Sequence, residues 1–330
     1  MTRRATAVPR LILVDGFAGS GKSTTAQRLC LQLRRAGQPA AWFHEHQAAH
    51  PIFCYDEVEE LLELTPDAFE DQILANWTAF ALDEDPAAVR ILEGSFFQLT
   101  VGVMLSMNMP ALRIARALVA IDRIIEPLDP ALIHLFHRHT RDGLLKIRDH
   151  RGAYWLDGMT TIVGRSPYGK RHRVRDVEGL VAFYRTQQNI IDAVLPRLRV
   201  RRLGIEIGHG AWSAYARKMS AFLSLGRPNA STPSWRELRR CIGRYRTGAG
   251  RECTVATDGA SLYLQEALAP AQRLLPAGAG CFCVESLPID VQFRPDGRGA
   301  SRRLVIRNHL VNAPAETASF ARAGERASSR

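Results

Sequence analysis

Long apolar stretches are missing from this chain. The most apolar stretch, residues 96–109, is short and carries four polar side chains, so it suits a buried helix better than a membrane span. The basic amino terminus is followed by only four apolar residues, Leu11–Val14, which is too few for the core of a signal peptide. We therefore expect a cytoplasmic protein without a membrane partner.

Paired cysteine motifs are also lacking. The six cysteines are scattered along the chain, and the closest two, Cys281 and Cys283, form a single C-x-C. A structural zinc site needs four ligands at suitable spacing, and no second pair supplies them. We predict free thiols in a reducing compartment.

Lysine is scarce, although the chain is basic. Only four of the 44 basic residues are lysine, and the net charge is +11. Residues 138–175 hold ten Arg or Lys against three Asp. Such a cluster suits phosphate groups on a nucleotide, a phosphorylated substrate or a polynucleotide, and the sequence leaves these open.

Short apolar strands alternate with helices through the first two thirds of the chain, which predicts an α/β fold with a parallel sheet covered on both faces. At 330 residues the chain fits one large α/β domain, assigned to residues 1–228, plus a smaller module. Residues 166–171 are interpreted as a loop. The strands are expected at 10–15, 40–44, 88–93, 131–137 and 199–207, and the helices at 23–36, 56–64, 66–82, on each side of Pro110, at 141–150, 177–195 and 212–225.

The pattern changes after residue 228. Following a helix at 235–241, short alternating segments and Asp-Gly turns predict a small antiparallel β module over residues 233–312. Its role is left open between closure over a substrate, formation of a homodimer and binding of another partner. Residues 313–330 are rich in Ala, Ser and Arg, and we expect a disordered tail.

The most informative motif is a glycine-rich loop between the first strand and the first helix. It fits G-x-x-x-x-G-K-[ST], in which backbone N–H groups and the helix amino terminus surround phosphates, the lysine reaches the β/γ oxygens and the hydroxyl binds Mg²⁺. The sequence thus predicts a site for ATP and Mg²⁺, with Ser23 as a metal ligand. The nucleotide-binding residues are Gly16, Phe17, Ala18, Gly19, Ser20, Gly21, Lys22, Ser23 and Thr24.

Acidic residues follow two neighbouring strands. Glu93 ends the third strand, where an acid can hold hydrated Mg²⁺ or accept the proton of an attacking hydroxyl. Glu45 follows the second strand, between His44 and His46, and is a candidate for acceptor binding or general base. The sequence does not choose the base between Glu45 and Glu93. Asp15, just before the loop, is a further candidate for contact with the metal shell or the acceptor.

The segment after the fourth strand is a candidate lid, over residues 138–152. Arg148 and Arg151 lie three apart on a predicted helix and can face the same side. Lid arginines neutralise charge that develops on a transferring phosphoryl group, so both are predicted catalytic residues beside Lys22.

Taken together, residues 11–33, Glu93-Gly94-Ser95 and the arginines after the fourth strand resemble the nucleoside and nucleotide kinase branch of P-loop kinases, near thymidylate kinase in layout. The resemblance covers residues 10–225. It implies a five-stranded parallel sheet, a mobile lid and ATP-dependent phosphoryl transfer. The chain departs from it at Glu93-Gly94, where thymidylate kinases usually carry Asp-Arg, and in the added β module.

The sequence therefore predicts a phosphotransferase that moves the γ-phosphoryl group of ATP to a hydroxyl of a small molecule, a nucleoside or another metabolite. Two alternatives remain. The first is a kinase or ATPase associated with nucleic acid. The positive net charge supports it, but the sequence shows neither a stacking platform for single strands nor a helicase motif. The second is a regulatory P-loop NTPase that has the β module as its output.

Overall fold

The computed structural model of the protein describes residues 8–53, 60, 63–83, 88–226, 233–266, 269–295, 301–310 and 317–322. The chain divides into two compact units. The first comprises Met1–Glu45 and Ala49–Pro228, and the second comprises His46–Ala48 and Asn229–Arg330. The predicted helix over residues 56–64 lies almost entirely outside the described residues.

The first unit is built on a parallel sheet of five strands in the order β2-β3-β1-β4-β5. Every pair in it is parallel, so the carboxyl ends of all five strands meet at one edge. The central strand is buried along its whole length, as its unbroken apolar run requires. The strands are β1 (Leu11–Gly16), β2 (Ala40–Phe43), β3 (Val89–Glu93), β4 (Pro130–Phe136) and β5 (Arg201–Glu206).

Helices connect these strands. A π-helical turn, Ser95–Leu99, follows β3 directly, and 3-10 turns at Glu126–Leu128 and Leu195–Arg197 lead into β4 and β5. The described helices of this unit are α1 (Lys22–Arg35), α2 (Pro66–Leu82), α3 (Thr100–Ser106), α4 (Ala111–Ile125), α5 (Thr140–Arg151), α6 (Ala153–Arg165), α7 (Pro167–His172), α8 (Val177–Val194) and α9 (Trp212–Phe222).

The sheet is covered on both faces. Leu11 and Leu13 of β1 face a core that α2 to α8 complete. The alternating residues Ile12 and Val14 face a second core with α1 and α9. The sequence prediction of a parallel sheet with helices on both faces is thus confirmed.

Local sequence signals set several helix boundaries. Pro66 begins α2, and the Thr65 hydroxyl accepts from the Ala68 N–H at 3.2 Å. The same chemistry gives a helix where a loop was predicted: the Ser166 hydroxyl accepts from the Gly169 N–H at 3.1 Å, and Pro167 begins α7. The loop interpretation of residues 166–171 is therefore wrong, because Ser-Pro starts a helix here.

The second unit is a closed antiparallel barrel. Its eight strands pair in chain order, and β13 closes the barrel on β6 through the pairs Ala321–Arg246 and Arg322–Tyr245. A short helix, α10 (Trp235–Cys241), precedes them and carries a capping box formed by Ser234 and Glu237. The strands are β6 (Gly243–Arg246), β7 (Glu252–Thr257), β8 (Leu262–Glu266), β9 (Gln272–Gly278), β10 (Cys281–Val284), β11 (Ile289–Pro295), β12 (Ser301–Asn308) and β13 (Thr317–Arg322).

The barrel has a packed core of its own. Four fully or almost fully buried aromatic side chains contribute to it, Tyr245, Phe282, Phe293 and Phe320, and eight short strands enclose just enough space for such side chains. The antiparallel β prediction is confirmed in its coarser form. The unit is a barrel rather than an open module, and β13 falls within residues 313–330, where we expected a disordered tail.

A three-residue segment from the first part of the chain also belongs to the barrel unit. The Ala48 N–H donates to the His309 carbonyl at 2.8 Å, and Gln47 forms an antiparallel bridge with Leu310. His46 precedes them in this unit, whereas His44 belongs to the first unit.

Candidate functional site

The glycine-rich loop lies between β1 and α1 at the carboxyl edge of the sheet. Gly16, Gly19 and Gly21 all have positive φ, at 140°, 66° and 79°. A Cβ at Gly16 would lie 1.9 Å from the Leu135 carbonyl oxygen, so the end of β1 has no room for a side chain. Gly21 is the N-cap of α1, and no side chain caps the helix. The first N–H groups of α1 therefore keep the capacity to bind an anion.

Lys22 begins α1 and turns back over the loop. Its Nζ donates to the Phe17 carbonyl at 3.0 Å, and the side chain is buried. The same Nζ lies 3.9 Å from Oε1 of Glu93, at the end of β3. The Phe17 carbonyl and the Glu93 carboxylate hold the Lys22 ammonium at the amino end of α1. An ammonium in this position is suited to bind phosphate oxygens.

Glu93 is fully buried, and its environment is unusual. Oε2 accepts from the Glu45 N–H at 3.2 Å, whereas Oε1 has no hydrogen-bond partner in the part of the chain that the structure describes. Burial, reinforced by the charge of Glu45, raises the pKa of Glu93 to about 8, although the Lys22 ammonium opposes the shift. Buried oxygens without partners are rare in folded proteins and mark places where a ligand, ion or water completes the structure.

Asp15, a sequence candidate for contact with the metal shell or the acceptor, is engaged in backbone hydrogen bonds. Its carboxylate accepts four backbone N–H groups, at 2.7 to 2.9 Å. Three of them, from Phe96, Phe97 and Gln98, open the π-helical turn after β3. With its hydrogen-bonding capacity used in this way, Asp15 holds that turn against the end of β1.

The turn brings Gln98 to Glu45. Gln98 Nε2 donates to Oε2 of Glu45 at 2.5 Å. The backbone of Gln98 is held at both ends, since its N–H bonds Asp15 at 2.9 Å and its carbonyl accepts from Gln187 Nε2 at 3.1 Å. The structure therefore brings Glu45, Glu93 and Lys22 together, as the sequence predicted, and adds Gln98.

Gly94 makes room for this arrangement. Its φ is +70°, and a Cβ there would lie 2.8 Å from Oε2 of Glu45 and 3.5 Å from Cε of Lys22. No other residue fits between Lys22 and Glu45 without displacing one of them.

Aromatic side chains line the next part of the site. The Phe17 ring lies 5.2 Å from the Tyr184 ring and 5.8 Å from that of His137. Burial and the Glu45 charge raise the pKa of Tyr184, and the Arg151 charge opposes this. Tyr184 therefore lies within electrostatic reach of both residues.

The two predicted lid arginines have different surroundings. Arg151 lies over the Trp155 ring, 5.9 Å from its centroid. Arg148 instead donates to its neighbour Asp149 at 3.0 and 3.1 Å, and its side chain is half exposed. Of the two, Arg151 is the one within electrostatic reach of Tyr184, whose ring contacts Phe17 of the glycine-rich loop.

Helix α5 packs directly on the glycine-rich loop. A Cβ at Gly19 would collide with Ile147, and one at Gly143 would lie 2.9 Å from the Phe17 ring. Lys146, which directly precedes Ile147 on the helix, donates to the Gly208 carbonyl at 2.8 Å. The predicted lid segment thus rests on the loop that it is expected to cover.

Trp212 was missed from the sequence. It begins α9 after β5, and a Cβ at Gly21 would lie 2.8 Å from its ring. The ring is 44% exposed and meets Tyr215 edge-on at 5.5 Å. The available signal was a tryptophan shortly after a strand of the parallel sheet, because the carboxyl ends of these strands lie at the same edge as the glycine-rich loop.

The residues present are compatible with Mg²⁺ bound together with a nucleotide. Among the described residues, no group of three or more His, Cys, Asp or Glu forms a metal site. Mg²⁺ usually keeps waters and takes one or two protein ligands plus substrate phosphates, so a larger set is not required. The Ser23 hydroxyl and the unpartnered Oε1 of Glu93 are the groups that would hold it, directly or through water.

Comparison with known proteins does not assign the chain. No protein-family model matches it, and a search of curated proteins gives no match. Within the described residues, no helix is both long and apolar enough to cross a bilayer. Among the described residues, the thiols of Cys30, Cys241, Cys253, Cys281 and Cys283 form no disulfide bond.

Proposed function

We propose that this protein is a P-loop phosphotransferase that transfers the γ-phosphoryl group of ATP to a hydroxyl of a small molecule. The observation that carries the proposal is the pair formed by buried Lys22, at the uncapped start of α1, and fully buried Glu93, 3.9 Å away at the end of the adjacent strand. A lysine on such a helix terminus suits triphosphate oxygens, and the carboxylate suits the cation that accompanies them.

Glu45 and Glu93 take separate roles in this proposal. Glu93 has no exposed surface, which suits a group that acts on bound cation and phosphates. Glu45 is partly exposed, so an acceptor entering from solvent can reach it. We therefore assign proton acceptance to Glu45, whose carboxylate Gln98 orients.

The reaction balances as a single displacement. The acceptor oxygen attacks the γ-phosphorus and forms a new O–P bond, while the bond from the γ-phosphorus to the β,γ-bridging oxygen breaks. ADP leaves with that electron pair, and the acceptor proton passes to Glu45. Bound Mg²⁺ would supply charge neutralisation at the phosphates, and Lys22 and Arg151 contribute to stabilising the transferring group.

The test is turnover of [γ-³²P]ATP with Mg²⁺, with and without a panel of hydroxylated metabolites, nucleosides and short oligonucleotides. We expect label on a small acceptor and a loss of about 100-fold or more in Lys22→Ala. Lys218→Ala is the matched control, because Lys218 is exposed on α9. Full activity in Lys22→Ala would refute the proposal.

The same assay separates the alternatives. ATP hydrolysis that no acceptor changes indicates a regulatory NTPase. Label on oligonucleotides, with binding that weakens steeply with salt, indicates a kinase that acts on nucleic acid.

A further inference from the structure

The acceptor side of the site presents oxygens that accept hydrogen bonds. Glu45 Oε2 accepts a hydrogen bond from Gln98 Nε2 at 2.5 Å. This bond fixes the Gln98 carboxamide with Nε2 toward the Glu45 carboxylate. Gln98 Oε1 is bonded to the same carbon as Nε2, so its position is fixed as well. This Oε1 is buried and has no hydrogen-bond partner among the described residues.

Two hydrogen bonds fix the backbone of Gln98, so a backbone rotation cannot bring Oε1 to another partner. Its N–H and its carbonyl are bonded to Asp15 and Gln187, on separate elements. A held amide oxygen without a partner is a costly feature in a folded protein, commonly about 1–3 kcal/mol. A ligand donor at that place would remove the cost.

The acidic residues of the acceptor side also favour a ligand that donates hydrogen bonds. The Glu45 N–H donates to Glu93 Oε2 at 3.2 Å, so the two carboxyl groups lie close together. The Glu45 carboxylate lies close to Gly94, and a Cβ at residue 94 would be 2.8 Å from Glu45 Oε2. An anionic group on the acceptor would meet these carboxylates, whereas a neutral or cationic donor is attracted to them.

We propose that the acceptor carries a second hydrogen-bond donor, a hydroxyl or an amine, close to the hydroxyl that is phosphorylated, and no phosphate or carboxylate there. In chemical class it is a polyol or an amino alcohol. Glu45 and Gln98 Oε1 bind the two donors, and Gln98 is the residue that determines specificity. This inference rests on the proposed phosphotransferase function.

The experiment uses the full chain with Mg²⁺ and [γ-³²P]ATP and compares matched acceptor pairs: nucleosides with their 5′-monophosphates, sugars with sugar phosphates, and amino sugars or aminocyclitols with their carboxylated derivatives. We expect transfer to the unphosphorylated, uncharged or cationic member, at least 10-fold faster than to its anionic partner. Equal or faster transfer to anionic members would overturn the inference and leave the phosphotransferase function standing. ATP hydrolysis without transfer to any member would overturn the function itself.

A variant pair tests the role of Gln98. Gln98→Met keeps the length of the side chain and removes the amide oxygen, so the acceptor KM should rise about 10-fold or more while the KM for ATP stays within about twofold. Gln188→Met is the matched control, because Gln188 is an exposed glutamine of α8 that bonds only Asp192 in the described contacts. An unchanged acceptor KM in Gln98→Met, or an equal rise in both KM values, would contradict the specificity role.

Discussion

Replacing Glu93 with glutamine should make the protein more stable at alkaline pH while reducing its activity. The substitution preserves shape and leaves an oxygen for the Glu45 N–H, but it removes a charge from a site with no exposed surface. In the absence of Mg²⁺ and nucleotide, a pKa of about 8 leaves Glu93 about nine-tenths protonated at pH 7. Glutamine therefore mimics the neutral form of the folded protein.

The sign of the pH dependence follows from proton binding. Between the ordinary carboxyl pKa of 4.5 and about 8, the unfolded chain has released this proton and the folded protein has kept it. The stability of the wild-type protein therefore falls as pH rises through this window. At about 1.4 kcal/mol per pH unit, the loss has an upper bound of about 5 kcal/mol, and structural relaxation makes a few kcal/mol the realistic expectation.

The assay is urea unfolding at pH 5, 7 and 8.5 in EDTA, with the wild type, Glu93→Gln and the control Glu60→Gln, which alters an exposed carboxylate. Glu93→Gln should match the wild type near pH 5 and exceed it progressively toward pH 8.5. The unfolding of the barrel unit is an internal reference, because Glu93 lies in the other unit. Parallel stability curves for the wild type and Glu93→Gln would refute the reasoning.

Two further substitutions test the packing around the glycine-rich loop. Gly94→Ala adds a Cβ 2.8 Å from Glu45 Oε2 at a positive φ, so we expect about 1–2 kcal/mol of destabilisation in thermal melts and at least a 10-fold loss of kcat. The control Gly158→Ala, inside helix α6 where nothing lies within 4 Å, should stabilise the protein by up to about 1 kcal/mol and leave kcat unchanged. Trp212→Ala removes the exposed ring beside Gly21 and should raise the KM for ATP about 10-fold without changing the acceptor KM. Trp235→Ala, in the barrel unit, is the control, and an equal effect there would contradict a role of Trp212 in nucleotide binding.

Much of the architecture could be predicted because its signals are local. An unbroken apolar run before the loop predicts a buried parallel strand, and Thr65-Pro66 predicts the start of α2. The barrel was recognised only as antiparallel β structure. Closure depends on β13 pairing with β6 about seventy residues away, and no local pattern reports such a pairing.

The sequence by itself determined the candidate glycine-rich loop, the parallel direction of the strands around it and the acids at two strand ends, because each follows from residue type, spacing and the alternation of strands with helices. Only the tertiary structure decided how these residues meet. Asp15 became an anchor for the turn after β3, and Gln98 reached Glu45 through that turn. Trp212 came to lie beside Gly21. Such contacts join residues that are far apart in the chain, so their geometry depends on how the strands, turns and helices pack.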